Sequence, residues 1–278
     1  MIARTLAHRV LMRTTERDVF EAVRFLSCEP EIDVAPPAQR IEVALTIEPF
    51  RDRYRILEEG RQAEEVTGLR SVVDHLHSRV LFFSVQAKPE AGILHAASLR
   101  SGRRRFLLAG AEAAGKTTLA LRLIREGCEL EGDEHVILDC DDVIARPRAC
   151  RVKESSLLLL PEFAKDISST PFFVDGSGRK VFNVDPRMMG GTWCIRSGKV
   201  DRVIVLHPKH GGHSSLRPLP PTGLAQALLS DLQLRGPDAS IVVAAMAALV
   251  RHAKGFDLSL GDHDTAVKCI KCALVEES

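Results

Sequence analysis

The sequence predicts an α/β core built around one glycine-rich loop, spanning residues 91–278, with a small α+β region ahead of it at 1–90. Three observations predict this. A strand-like run, "RRFLLAG" (104–110), leads straight into "GAEAAGKT" (110–117), which fits the spacing G-x-x-x-x-G-K-[ST]. The following "LALRLIREG" has helical spacing and stops at Gly127. Further on, "KVDRVIVLHP" (199–208) reads as a buried strand, with two apolar helices after it.

The elements before the loop are read in chain order. "ERDVFEAVRFL" (16–26) puts Val19, Phe20, Val23 and Leu26 on one helical face, so residues 1–35 are expected to be helical at best. "VAPPAQ" (34–39) breaks the chain. "IEVALTIEPF" (41–50) alternates apolar and polar residues, and "RYRILEEGRQAEEV" (53–66) reads as strand, turn at Gly60, strand. Leu69, Val72, Val73, Leu76, Val80 and Leu81 mark a helix over 69–87. Two strands follow, "GILHAASL" (92–99) and "RRFLLAG", joined by the "RSGR" turn.

After the loop helix, "DEHVILD" leads to a turn at "CDD", and "VIARPRACRV" is extended because proline disfavours helix before it. No long helix pattern appears from 155 to 200, where "DGSGRK" and "MMGGT" signal turns. "LAQALLSDLQ" and "ASIVVAAMAALVRHA" read as helices, with "IVVAAMAALV" buried, and "GFDLSLGDHDTAVKCIKCAL" reads as a strand and a last helix.

Composition bounds the function. Of 278 residues, 45% are hydrophobic and 27% charged, and 38 Lys+Arg oppose 37 Asp+Glu, so no global charge favours nucleic acid or a membrane surface. The basic clusters "SLRSGRRRF" (98–106) and "ARPRACRVK" (145–153) read as a solvated hairpin and a loop. The N-terminus lacks the pattern of a secretory signal, and no run approaches the roughly 18 apolar residues of a membrane span. Seven scattered cysteines suit reduced thiols, so a cytoplasmic protein is expected. A homo-oligomer is compatible with everything in the sequence.

Each loop position has a physical task. Gly110 and Gly115 permit backbone conformations that a Cβ forbids, and the turn formed by Ala111, Glu112, Ala113 and Ala114 aims backbone N–H groups at polyphosphate. Lys116 reaches the β- and γ-phosphates, Thr117 offers its hydroxyl to Mg²⁺, and Thr118 ends the run of expected nucleotide-binding residues. ATP and Mg²⁺ are therefore the expected ligands. The acidic pair Asp133-Glu134 comes 17 residues after Lys116 and precedes the apolar run Val136-Ile137-Leu138, where a generic ATPase places its carboxylate after such a run. At the start of a strand the two side chains would point to different faces, one toward metal and one toward an acceptor hydroxyl. A solvated helix-to-strand loop is the other reading of the pair. His95, 15 residues before Gly110, reads either as a packed strand histidine or as a member of the site.

The arrangement "LHAASL…GRRRFLLAGAEAAGKTTLALRLIREGCELEGDEHVIL" resembles the HPr kinase superfamily, whose core is shared with phosphoenolpyruvate carboxykinase. It is more similar to the HPr-kinase-related serine kinases that tailor lasso peptides. "ARPRACRVKESSL", "NVDPRMMGG", "VDRVIVL" and "GFDLSLGDHD" extend the resemblance over roughly 45–275. It implies a mixed sheet with flanking helices and transfer of the ATP γ-phosphate to a serine of a peptide or protein. It also implies Asp133 as the base, Glu134 as metal-associated and His95 as support for that carboxylate or the phosphoryl group. Lys153 and Arg187 would add charge in the transition state. The chain departs from the pattern in "EAA" inside the loop, in Thr117 for Ser, and in Glu134 for a second Asp, whose extra methylene leaves the metal and base roles open to exchange. Nothing before residue 90 matches the HPr kinase N-terminal domain, and that enzyme's C-terminal signature is missing, so HPr itself is not the expected acceptor. A small-molecule kinase and a nucleotide-dependent switch are the competing functions.

Three further signals read as structural. "CIKC" places Cys269 and Cys272 on one helix face, and "HPKHGGH" (207–213) reads as a flexible surface turn without a fixed acidic partner. Trp193 reads as core or as a substrate contact. The irregular segment 155–198 is the expected source of acceptor recognition.

Overall fold

The computed structural model describes residues 1–34, 41–86, 88, 91–175, 177–209, 211–233 and 239–275; apart from Val34, the predicted break at 34–39 lies outside them. The chain opens with β1 (Ile2–Arg4), β2 (His8–Thr14), α1 (Arg17–Val23), β3 (Glu31–Asp33), β4 (Ile41–Phe50), β5 (Arg53–Glu58), β6 (Glu64–Val66) and α2 (Gly68–Val85). There follow β7 (Gly92–Leu94), β8 (Ala96–Ser101), β9 (Arg104–Ala109), α3 (Lys116–Arg125), β10 (Glu129–Gly132), β11 (Val136–Asp139) and β12 (Asp142–Ala145). Then come β13 (Cys150–Lys153), α4 (Ala164–Ser168), β14 (Phe172–Val174), β15 (Lys180–Val184), β16 (Cys194–Gly198), β17 (Arg202–Pro208) and β18 (Ser215–Leu219). The chain closes with α5 (Pro221–Leu229), β19 (Leu232–Gln233), α6 (Ala239–His252), β20 (Lys254–Leu260) and α7 (His263–Val275).

These elements form two compact units, one of residues 1–87 with 147–184 and one of 88–146 with 185–278. The segment 147–184, read from sequence as part of a continuous 91–278 domain, packs with the N-terminal residues. In the first unit a sheet runs β1-β2-β4-β5-β6, with β2 and β4 parallel and the other pairs antiparallel. Residues 1–35 thus open on strands where helix was expected. In β2, His8, Val10 and Met12 are buried while Arg9 and Arg13 are exposed, a period-2 pattern too short to stand out beside the helical run that follows. A small sheet, β13-β15-β14, joins this unit through Phe173, whose ring lies 4.6 Å from that of Phe25. The Arg151 guanidinium lies 5.0 Å from the Phe173 ring and hydrogen-bonds His77 at 2.6 Å.

The second unit holds a mixed sheet, β10-β8-β9-β17-β20-β18, in which β9, β17 and β20 are parallel. Its other sheet orders the strands of this unit β19-β7-β11-β12-β16, with antiparallel pairs. Leu107, Ala109, Val203 and Val205 on one face of the mixed sheet share a core with Leu224 and Leu228 of α5 and Ala245, Met246 and Leu249 of α6. Helix α3 packs against β8, β9 and β10 with Leu119, Leu123 and Ile124 buried. The α6 run expected to be buried all round is one-sided, since Ile241 and Val243 are exposed. Among the described residues no helix is long and apolar enough to cross a membrane.

This topology decides where chemistry can sit. β8 runs opposite to β9 and to β10, so the C-terminal ends of β9, β10, β17 and β20 and the N-terminal end of β8 share one edge. Ligands of open α/β sheets bind at such carboxyl edges.

Candidate functional site

The glycine loop lies at that edge, between β9 and α3. The Ala114 N–H donates to the Ala111 carbonyl at 3.1 Å, which folds the loop back on itself. Ala111, Glu112 and Ala113 form an exposed tip, whereas Ala114, Lys116 and Thr118 are buried. Gly115 caps the helix at φ +96°, and a Cβ there would stand 2.8 Å from Leu260 Cδ2. At Gly110 a Cβ would meet the Leu206 carbonyl oxygen of β17 at 2.8 Å. Ala113, without a glycine's freedom, is held at φ 63°, a conformation costing roughly 1–2 kcal/mol. The N–H groups of the first helical turn have no carbonyl partner within a helix, so the loop and helix end together suit an anion. Lys116, only 6% exposed, donates from Nζ to the carbonyls of Gly110 at 2.5 Å and Ala111 at 2.9 Å, which holds its charge at the loop.

The acidic pair is not on a strand. The stretch "CELEG" forms β10, unnoticed in the sequence, and residues 133–135 turn the chain from one sheet to the other. Strand alternation therefore does not apply to Asp133 and Glu134. Glu134 instead takes φ 88°, the left-handed region that non-glycine residues avoid. Asp133 is 4% exposed and accepts the Thr117 hydroxyl, which lies 2.9 Å from one carboxylate oxygen and 3.1 Å from the other. The turn thereby meets the glycine loop. The Glu134 side chain is half-buried, with Oε2 3.9 Å from His135 Nδ1.

His95 interrupts what the sequence presented as one strand, so that β7 joins one sheet and β8 the other. Its N–H donates to the Asp231 carbonyl at 3.1 Å. Ala96 pairs with Ala109, which puts His95 level with the start of the glycine loop. Burial holds its imidazole below the usual range, the Lys116 ammonium adds to this, and the carboxylates of Asp231, Asp133 and Glu112 oppose it. The ring stands 6.1 Å from that of His135.

The remaining sequence candidates make contacts of their own. Lys153 ends β13 in the other compact unit, paired with Val181. Arg187 lies in a short 3₁₀ turn, its guanidinium forked on Asp185 and 5.7 Å from the Trp193 ring. Trp193 is core, 3% exposed, and donates to the Glu131 carbonyl at 3.2 Å. The histidine loop does have acidic neighbours. His207 Nε2 is 3.1 Å from Asp257, and His213 Nδ1 is 3.5 Å from Asp262, while His210 lies outside the described residues. Asp262 caps α7 through Thr265, whose hydroxyl and N–H hold that carboxyl well below its usual range. Cys269 and Cys272 both lie on α7, half-buried and exposed respectively.

Several residues that shape the site gave no sequence signal. Arg105, in the cluster read as a solvated hairpin, is 2% exposed and grips fully buried Glu131 with two bonds of 2.7 and 2.9 Å. Ser98 donates to the same carboxylate at 2.8 Å. This pair ties β9, which ends in the glycine loop, to β10, which ends in the acid turn. Arg146 and Arg148, in the cluster read as a loop, are 3% and 9% exposed.

The oxygen donors fit Mg²⁺. A hydroxyl and a carboxylate in contact are hard ligands, and Mg²⁺ takes few protein groups because it keeps waters and phosphate oxygens. Among the described residues no group of three or more His, Cys, Asp or Glu gathers to hold a metal on its own.

No protein-family model matches this chain, and no curated protein matches it. Among solved structures it is similar to the Hpr(Ser) kinase/phosphatase from Coxiella burnetii, at a TM-score of 0.33 and 13% identity, over 66% of this chain and 96% of that one.

Proposed function

We propose that this chain is a kinase that transfers the γ-phosphate of ATP to a hydroxyl, with a serine of a peptide or protein as acceptor. The observation that carries the reading is the hydrogen bond from Thr117 to Asp133, which joins an anion-binding loop to a buried carboxylate. The motifs around His95, the glycine loop and the acid pair, which resemble the HPr-kinase-related serine kinases, support the same reading.

In this mechanism the loop N–H groups and Lys116 bind the triphosphate and oppose the charge that builds up on the γ-phosphoryl oxygens. Mg²⁺, when bound, supplies further neutralisation of those oxygens. The contact with Thr117 supports Asp133 as the carboxylate on the metal side. Glu134 is then the carboxylate that orients the acceptor hydroxyl and takes its proton, as the acceptor oxygen bonds phosphorus and the bridge to the β-phosphate breaks. This exchanges the two roles that the resemblance implies. His95, whose imidazole senses the Asp133 carboxylate, is assigned to support that group or the phosphoryl group. For acceptor recognition we assign, from its length and irregularity alone, the segment 155–198.

Incubation with ATP, Mg²⁺ and a panel of serine-bearing peptides, nucleosides and sugars tests this by mass. A gain of about 80 Da, one phosphoryl unit, on a peptide serine is the expected result. The same gain confined to small molecules would make this a small-molecule kinase. ATP binding with no acceptor modified would favour a nucleotide switch.

A further inference from the structure

We infer that Arg146 and His135 form a clamp that positions the acid turn over the glycine loop, an assignment resting on Asp133 and Glu134 as the carboxylates of the proposed transfer. The turn touches residues 145–146 at three points. A Cβ on Gly132 would fall 2.9 Å from Ala145 Cβ and 3.0 Å from the Arg146 carbonyl oxygen, so only glycine lets the end of β10 approach this closely. The Arg146 N–H donates to the His135 carbonyl at 3.0 Å. The Arg146 guanidinium, on a side chain 3% exposed, bonds His135 Nδ1 at 2.9 Å.

The last contact fixes the state of the imidazole. An arginine guanidinium only donates, so His135 Nδ1 accepts and the ring proton sits on Nε2. The same Nδ1 lies 3.9 Å from Glu134 Oε2, so a ring turned by Arg146 forms a wall beside that carboxylate. Glu134 in turn holds φ 88°, a conformation that persists only where its surroundings over-determine it. Two bonds from one buried arginine to the next residue provide that constraint. Beyond the turn, the pairing of Val136 with Ala145 continues the same attachment into β11 and β12. Arg146 and His135 are thus positioning residues, acting on phosphoryl chemistry through the acids they place. The closest precedent in physical terms is the outer-shell partner of a metal ligand, whose loss weakens metal affinity about 10–100-fold.

The test compares wild type with Arg146→Gln, His135→Leu and His135→Asn, using a methylanthraniloyl-labelled ATP titrated with and without Mg²⁺. An asparagine amide oxygen can accept where Nδ1 does, and leucine cannot. All four proteins should bind the probe within about twofold of each other without Mg²⁺, because the glycine loop is untouched. Mg²⁺ should tighten binding in wild type and in His135→Asn, and the gain should shrink about tenfold in Arg146→Gln and His135→Leu. Equal gains in Leu and Asn variants, whether both kept or both lost, would overturn the clamp, as would Mg²⁺-free affinities falling in step. Should Arg146→Gln not fold, the leucine–asparagine pair alone decides. Nitrogen-15 spectra of the His135 ring give an arm independent of nucleotide: an unprotonated Nδ1 in wild type is required, and a proton there refutes the clamp. If wild type binds no probe, the nucleotide reading fails while this arm still judges the clamp.

Discussion

Asp133 and Glu134 are adjacent in sequence, yet their environments separate them. Asp133 is buried on the Thr117 hydroxyl, and Glu134 is half-buried on a left-handed backbone. Asp133→Asn is expected to raise the Mg²⁺ concentration needed for half-maximal nucleotide binding by at least tenfold, read by titration. Glu134→Gln should leave that value within about twofold and slow transfer about 10²–10⁴-fold, the span of a lost general base. The turn between β9 and α3 was legible because its signals are local, with Gly110 and Gly115 set between a strand pattern and a helix pattern. The conformation of the turn at Asp133-Glu134 was not, because its contacts run to Arg146 and, through Gly132, to Ala145, with no local spacing to reveal them. Burial lowers the pKa of His8 in β2 below its ordinary 6.5, against a bond to the Phe83 carbonyl that acts the other way. The unfolded chain therefore takes up a proton near pH 6.5 before the folded chain does, so stability is complete above that pH and falls below it. His8→Asn should flatten this loss below about pH 6.5 in denaturant titrations.

Among the elements, β9 and β10 carry the two halves of the site and are joined beneath it by Arg105 and Glu131. Removing one partner of such a buried pair leaves a charge without compensation, so Arg105→Ala or Glu131→Ala should cost about 3–5 kcal/mol in urea unfolding. The double change Arg105→Met with Glu131→Leu should recover most of that loss, since apolar groups of similar volume need no compensation. Arg105 sits between Arg104 and Phe106 in a hairpin that reads as polar. Its partner lies 26 residues on, beyond a loop and a helix, so no local pattern reveals it. Strand β10 was missed for a related reason, because Glu129 and Glu131 make "ELEG" look like a solvated turn until the buried arginine is in place. The break at His95 was hidden too: "GILHAASL" carries no turn residue after Gly92, and only the two sheets it enters divide it.

At the scale of the whole molecule, the order of strands and helices around the glycine loop was readable, since β9, α3, β17, α5, α6, β20 and α7 each carry their own periodicity. The division into two units was not. Residues 147–184 join residues 1–87 through contacts such as Phe25 with Phe173 and His77 with Arg151, pairs far apart in the chain with no spacing to betray them. The unit of 88–146 with 185–278 contains the glycine loop, Asp133, Glu134 and His95, so the proposed kinase would bind its nucleoside triphosphate at the sheet edge of that unit. Isothermal calorimetry with ATP and Mg²⁺ tests this most directly. One ATP per chain is predicted, with affinity weakened at least tenfold, about 1.4 kcal/mol, in a Lys116→Ala variant that keeps its fold. Absence of binding by the folded wild type, or equal binding by the Lys116→Ala variant, would contradict it.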